Sequence, residues 1–225
     1  MAVSSRFPRT ESKTEILSSV RFDLPSAIKM TDAFSSACGV RCGLYNAEGH
    51  LLHQHGAQYS DCTFCRKLAE QTGIDFSCEK LHSYAAFQSE RFGGRYIYSC
   101  PAGMVFFSSP ILIEGTFAGA LAAGPVLIVD MEDFLANDAL HFDQLSPGQA
   151  AVVKAYLLCV PQTEPKRLEH LSCQLFTNTV YISDSSHELF LARHENEQQN
   201  SIGDYISRLK QRNTTIHYPI EQETM

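Results

Sequence analysis

Apolar positions recur at helical spacing in the first third of the chain, so the pattern predicts three helices there. In residues 25–39 they fall at three- and four-residue steps, at Ala27, Met30, Phe34 and Ala37. A short helix is predicted over residues 64–72, with Gly73 as its C-cap. A longer helix is predicted from the N-cap Asp75 to the stop at Gly93. Its expected buried side consists of Phe76, Leu81, Tyr84, Ala85 and Phe92.

Between and after these helices the pattern changes to strands. Residues 40–45 and 50–55 flank the turn Asn46-Ala47-Glu48-Gly49 and predict a hairpin. Further strands are predicted at residues 95–100, 105–113 and 116–129, joined by short glycine-containing turns into one antiparallel sheet. Small residues from Ala118 to Gly124 leave room for a helix or a ligand to approach the sheet closely.

The last third is predicted to be helical, with one helix near residues 147–159 and a long C-terminal helix that starts at Pro165 and extends toward Arg212. Its apolar heptad positions are Leu168, Leu175, Ile182 and Leu189. They predict either packing on the chain's own sheet or a homodimer through the C-terminal helix, and polar Asn178 and Ser185 weaken the second alternative. The predicted fold class is therefore α+β, with helices flanking a central antiparallel sheet.

Composition narrows the function classes. The 225 residues carry a formal net charge of -7 without a basic stripe, which argues against direct nucleic-acid binding. The longest apolar run, residues 117–129, is shorter than a membrane span, and no secretory signal is evident, so we expect a cytoplasmic protein without a membrane partner. Residues 1–20 are polar and predict a flexible leader.

The cysteines are the first candidate chemistry. Cys62 and Cys65 have the Cys-x2-Cys spacing of half a zinc site, and Cys78 and Cys100 are the candidate remaining ligands, with His82 as a substitute. Zinc or another thiolate-bound metal, a reversible disulfide between the paired cysteines, and plain core packing all remain open. The other four cysteines are predicted to be core residues, namely Cys38, Cys42, Cys159 and Cys173.

A ligand pocket is the second candidate. No nucleophile elbow, phosphate loop or His-Glu-x-x-His motif occurs, so the sequence does not predict an enzyme. Because successive strand residues face opposite sides, Tyr96, Tyr98 and Cys100 share one side and place hydroxyl and thiol groups on an apolar wall. Such a wall suits a small polar molecule.

An ordered set of these residues resembles a known family. Phe64-Cys65-Arg66-Lys67-Leu68, Cys78, Tyr96-Ile97-Tyr98-Ser99-Cys100-Pro101-Ala102-Gly103-Met104 and the later Gly115, Gly119 and Gly124 are similar to the PocR-type ligand-binding sensory domain. The resemblance covers about residues 22–190. Its cysteines correspond to Cys65, Cys78 and Cys100. Pro101 and Pro125 stand where the family usually has His and Gln, which puts those polar contacts in doubt.

The resemblance implies a PAS-like fold that senses a short diol, glycerol or a related molecule. It implies the sensor of an AraC-type transcription regulator of diol or cobalamin metabolism, with residues 21–195 as sensory domain and 196–225 as C-terminal helix and linker to a DNA-binding domain absent here. DNA would be contacted only through that output domain. A histidine-kinase sensor and a cysteine-based metal or redox sensor are the alternatives. The expected ligand site comprises Tyr96, Tyr98, Cys100, Met104, Phe106, Cys65, Cys78 and His82.

Overall fold

A five-stranded antiparallel sheet organises the part of the chain that the structure, a computed structural model, describes: residues 20–57, 62–74, 78–139 and 142–183, without the side chains of residues 78–80 and 138. The strands are β1 (Cys42–Asn46), β2 (Leu51–His55), β3 (Tyr96–Ser99), β4 (Val105–Ile113) and β5 (Thr116–Val126). They pair in the order β2-β1-β5-β4-β3. The sequence-based expectation of an α+β, PAS-like fold is confirmed.

The helices lie on both faces of the sheet. They are α1 (Leu24–Cys38), α2 (Thr63–Thr72), α3 (Cys78–Arg91), α4 (Pro147–Leu157) and α5 (Pro165–Ile182). Between β5 and α4 the chain forms short helical turns at Met131–Asp133, Phe134–Asp138 and Phe142–Gln144. None of the helices in the described ranges has the length and apolar character needed to cross a membrane.

Local chemistry explains where the elements begin and end. The Asp23 carboxylate accepts a hydrogen bond from the Ser26 amide at the start of α1, and Gly39 ends this helix in the left-handed conformation at φ 67°. Ser146 and Gln149 form a reciprocal capping box at the start of α4. At the tip of the β1–β2 hairpin, Gly49 has φ 85°, as the predicted turn requires.

One side of the sheet, the α1/α5 face, is packed mainly by aliphatic side chains and phenylalanine, with small buried hydroxyl side chains such as Ser35 and Ser172 on the two helices. Helices α1 and α5 contact each other there, with α1 against β1 and α5 against β4. The fully buried residues include Phe34, Leu44, Phe107, Ile111, Leu121, Leu168 and Leu175. Three heptad positions of the predicted seam, Leu168, Leu175 and Ile182, are buried in this core, which agrees with packing on the chain's own sheet.

The opposite side, the α3 face, is covered by α3, which contacts β3, β4 and β5. The cluster on this side extends past the sheet to α2 and α4 and combines aromatic, sulfur-containing and aliphatic residues. Alternation along β3 divides the two faces as expected, because Ile97 belongs to the α1/α5 core and Tyr98 to the α3 cluster.

Two expectations about burial are wrong. Tyr84 and Phe92 are 57% and 40% exposed, because the buried side of α3 is formed by His82, Ala85, Ala86 and Ser89, at three- and four-residue spacing. Cys159 and Cys173 are exposed rather than in the core. For Cys173 the reason is that the buried side of α5 passes through its neighbour Ser172. Cys42 is buried in the α1/α5 core as expected, and Cys38 is half-buried.

A C-terminal helix is confirmed, but it ends at Ile182, so the predicted uninterrupted helix from Pro165 toward Arg212 is wrong. Ser183 is extended, with ψ 163°, and its hydroxyl accepts a hydrogen bond from the Leu112 amide at 2.9 Å. Predictions for residues 1–19, Asp75, Phe76, Leu189 and the C-terminal linker at 196–225 lie outside the described residues. A homodimer through this helix stays a prediction.

Candidate ligand-binding site

A buried hydrogen bond between His82 and Tyr98 is the centre of the site. His82 lies on the inner side of α3, and its Nδ1 is 2.8 Å from the phenol oxygen of Tyr98 on β3. Both side chains are almost wholly buried, at 7% and 5% exposure. Either the phenol O–H donates to Nδ1, or Nδ1–H donates to the phenol oxygen, depending on the imidazole tautomer.

Aromatic rings surround this pair. Tyr98 stacks between Tyr96 and Phe106, with ring centroids 5.7 and 5.8 Å away, and Phe92 stacks on Tyr96 at 5.2 Å. The His82 ring is 4.7 Å from that of Phe106. The rings therefore hold the imidazole and the phenol in one orientation while excluding water from them.

Burial keeps both polar groups of the central pair uncharged. It lowers the pKa of His82 to about 4, with a smaller contribution from the charge of Arg41. Burial also raises the pKa of Tyr98 well above its usual value, with smaller contributions from Tyr45 and Cys100 among others. At neutral pH the site thus presents a neutral imidazole and a neutral phenol, and each can donate or accept a hydrogen bond.

The predicted thiols border the same cluster. Cys65 on α2 and Cys100 after β3 are buried in it, and Cys62 is half-buried against it. Met104 is buried there too, and its carbonyl accepts a hydrogen bond from the Cys100 amide at 2.8 Å across the turn that follows β3. The structure therefore brings together Tyr96, Tyr98, Cys100, Met104, Phe106, Cys65 and His82.

Cys78 opens α3 in the described backbone, and its side chain lies outside the described part. Within the described ranges, no three His, Cys, Asp or Glu side chains are arranged so that they could hold a metal ion. A thiolate metal site would thus depend on Cys78 joining Cys62, Cys65 and Cys100, and it stays a prediction.

Next to the His82–Tyr98 pair, β4 and β5 carry small residues that project little from the sheet. Ser108 on β4 donates to the Ala85 carbonyl of α3 at 3.1 Å, so its register partner Ala122 also faces this helix. Gly124 lies next to Phe106: a Cβ there would come within 2.6 Å of the ring and 2.9 Å of the Val105 carbonyl oxygen. Only glycine leaves the Phe106 ring in its present position.

Residues of β1 complete the site, and sequence reasoning missed them. Leu44 and Cys42 belong to the α1/α5 core, so the alternate residues Arg41, Gly43 and Tyr45 face the α3 side. The order of the strands sets β1 beside β5, which no local pattern reveals. The sequence offered one indication. Arg41 stands at the start of an apolar strand, four residues before Tyr45, so the two side chains are expected on the same side of the sheet.

A concavity with a volume of about 400 Å³, called here the α4 concavity, lies elsewhere and has none of the predicted ligand residues in its lining. It is bordered by the short helical turns after β5 and by α4. Its lining residues are Glu132, Leu135, Ala136, Phe142, Ala150, Ala151 and Lys154. This concavity provides a reference site for variants that should not affect the His82–Tyr98 site.

A PAS-like sheet with one helix over a small polar cluster is an α+β architecture in which a molecule can bind between helix and sheet. The sequence comparison identifies the family: residues 21–187 match the profile described as the sensory domain found in PocR. The match covers more than half of the chain, and the chain belongs to this family of sensory domains. A search of curated proteins found no match.

Solved structures that match the chain include three described as transcriptional regulators. The C-terminal domain of a Vibrio cholerae regulator is 13% identical and has a TM-score of 0.30, with 62% of this chain and 97% of that chain covered. A domain of an IclR-family regulator is 12% identical, with a TM-score of 0.29 and coverages of 69% and 95%. A regulator from Rhodococcus sp. RHA1 is 13% identical, with a TM-score of 0.29 and 73% of each chain covered. The family assignment depends on the sequence match alone.

Proposed function

We propose that this domain binds a small hydroxylated molecule, such as a short diol or glycerol, between α3 and the sheet. The observation that carries the proposal is the buried, uncharged His82–Tyr98 hydrogen bond inside an aromatic wall. The two groups satisfy each other through this hydrogen bond, and the pair has further donor and acceptor capacity that a polar ligand could use.

The chemistry of the pair favours a hydroxyl group in particular. Whichever tautomer His82 adopts, the pair retains at least one donor and one acceptor beyond its own hydrogen bond. A hydroxyl group also donates and accepts, and an aliphatic carbon skeleton would lie against Phe106 and Met104. The ligand-binding role of Tyr96, Cys100, Cys65 and Cys78 belongs to the same proposal.

A route from this site to an output domain also forms part of the proposal. Strand β4 carries Phe106 on the α3 side, and α5 packs against β4 from the other side. At the end of this helix, Ser183 accepts a hydrogen bond from Leu112 of β4. A shift of β4 on binding would therefore move α5. The ligand changes the equilibrium only by the difference in its affinity for the two states.

In this proposal residues 21–195 are the sensory domain of a transcription regulator, and residues 196–225 lead to its output domain. DNA is contacted by that output domain, of the AraC type in the family resemblance. The acidic net charge of -7 supports a division of labour in which the sensory part does not itself contact DNA.

Isothermal calorimetry of the 225-residue chain with propane-1,2-diol and glycerol tests the proposal. We expect saturable binding that Tyr98→Phe weakens about fivefold, because loss of one hydrogen bond removes roughly 1 kcal/mol. Tyr181→Phe is the matched control, since Tyr181 is 74% exposed on α5. Absence of binding, or equal losses in both variants, would contradict the proposal.

A further inference from the structure

The cation of Arg41 lies on the same face as the His82–Tyr98 pair. Arg41 precedes β1 and opposes Gly124 of β5: the Gly124 amide donates to the Arg41 carbonyl at 3.0 Å. The Arg41 Nε in turn donates to the Gly124 carbonyl at 3.3 Å, and the side chain is half-buried. This backbone contact keeps the guanidinium over the glycine that lies against Phe106.

Tyr45 belongs to the same wall. A Cβ on Gly43 would be 2.9 Å from the Tyr45 ring and 3.2 Å from its hydroxyl oxygen, so the ring extends back along β1 toward Arg41. Arg41 and Tyr45 thus form a polar wall on β1, and His82 and Tyr98 form another above β3. The intervening sheet surface consists of Gly124, Ala122 and Phe106.

Arg41 is close enough to the other wall for its charge to act on His82 and Tyr98. The charge of Arg41 contributes to lowering the pKa of His82, and it acts on Tyr98 in the same direction. The site therefore combines a positive potential at one wall with a neutral hydrogen-bonding pair at the other.

We infer that the domain prefers a short hydroxycarboxylate, whose carboxylate is held by Arg41 and Tyr45 and whose hydroxyl is held by His82 and Tyr98. The inference rests on the proposed function, because it assigns a ligand class to the same site. A guanidinium offers the planar pair of N–H donors that a carboxylate matches, and such charge-assisted hydrogen bonds are stronger than neutral ones. An uncharged diol of the same skeleton would use one wall only.

Lactate and propane-1,2-diol provide the matched probes, since they share a carbon skeleton and differ in carboxylate against CH2OH. Calorimetry of the 225-residue chain should give tighter binding for lactate. Arg41→Gln should weaken lactate binding about 10- to 100-fold and weaken diol binding by a much smaller factor. Arg41→Lys should retain part of the preference, because it keeps the charge without the planar donor pair.

Two cations outside the site serve as controls: Arg167→Gln, whose charge acts on Cys38 at the end of α1, and Lys154→Gln in the α4 concavity. Neither should change lactate affinity, and thermal unfolding of each variant checks its folding.

Diol binding without a lactate preference, or equal losses for both probes in Arg41→Gln, overturns the inference and leaves the proposed function standing. Loss of lactate binding in Lys154→Gln also overturns the inference, since it indicates that the anion binds in the α4 concavity. If neither probe binds, the inference and the proposed function both fail for this class of molecule.

Discussion

The α1/α5 face and the α3 face belong to one sheet, yet they are filled by different side chains. On the α1/α5 face, Leu44, Leu121 and Leu175 are fully buried among other aliphatic groups and phenylalanine. On the α3 face, the buried groups include a histidine, a tyrosine and two cysteines, next to glycine and alanine on the strands. Aliphatic packing needs no partner beyond the chain, whereas buried polar groups need hydrogen bonds.

This difference indicates a division between stability and recognition. The α1/α5 core should set most of the folding free energy, because buried apolar area is the dominant favourable term. The α3 face should contribute less and should govern ligand binding.

Truncating the aliphatic core should have the largest effect. Leu175→Ala removes a fully buried side chain between α5 and the sheet, so we expect a loss of about 2–5 kcal/mol in the free energy of unfolding. Urea unfolding followed by circular dichroism measures it. Leu158→Ala, at a site that is 71% exposed, is the control and should change stability by less than about 0.5 kcal/mol. Similar losses in both variants would contradict the claim that this core sets most of the folding free energy.

The pH dependence of stability should show that His82 is held neutral in the folded protein. Its pKa is about 4 in the folded protein against 6.5 for the ordinary imidazole. Between these values the unfolded chain binds more protons, so stability is fully present above pH 6.5 and falls as the pH decreases toward 4. From pH 7 to pH 5 the contribution of His82 is roughly 2 kcal/mol. Urea unfolding of wild type and His82→Gln at both pH values should show a smaller loss for the variant. Equal losses would show that His82 is not held neutral.

Adding one methyl group at Gly124, on the sheet surface next to Phe106, should affect folding and ligand binding together. Gly124 has φ 129°, and a Cβ there meets the Phe106 ring, so Gly124→Ala should cost about 1–3 kcal/mol and weaken ligand binding. Gly148→Ala is the matched control, because Gly148 lies in α4 with open space around its Cβ position. Unfolding and calorimetry measure both effects. Full ligand affinity in Gly124→Ala would place the ligand away from Phe106.

The smallest effect is expected at a polar contact on the outer part of the α1/α5 side. Asp32 of α1 is 2.7 Å from the His53 Nε2 of β2, and both side chains are partly exposed, at 41% and 29%. Because solvent screens such pairs, Asp32→Asn should change the free energy of unfolding by less than about 1 kcal/mol and leave ligand binding unchanged. Urea unfolding and calorimetry provide the measurements. A loss comparable to that of Leu175→Ala would contradict the contrast between core and surface.

Local sequence pattern predicted most of the elements of this fold. The αL glycine at Gly39, the hairpin turn that ends in Gly49, and the period of two in β3 each depend on a few neighbouring residues. For the same reason, the shared orientation of Tyr96, Tyr98 and Cys100 was predictable. Short turns then join β1 to β2, and β3 through β4 to β5, whereas the pairing of β1 with β5 does not follow from local pattern.

The remaining features of the fold and site depend on tertiary contacts, which local sequence does not reveal. Helix α3 has two candidate apolar stripes, and its own sequence did not reveal that the stripe with His82, rather than Tyr84, faces the sheet. Arg41 enters the site because β1 pairs with β5, two elements separated by about 70 residues of sequence. Cysteine is among the residue types most often buried, but Cys173 lies on the exposed side of α5. The site was therefore predictable in its β3 half and hidden in its β1 half.

Histidine side-chain NMR gives the most direct test of the central claim that the ligand binds at the His82–Tyr98 pair. Long-range 15N–1H spectra of the 225-residue chain would be recorded during titration with propane-1,2-diol, glycerol and lactate, with His82 assigned from the His82→Gln spectrum. We expect at least one of the three to shift the His82 signals saturably, while those of His53 and His55 on β2 stay in place. Unchanged His82 signals at saturating concentrations of all three compounds would contradict the account.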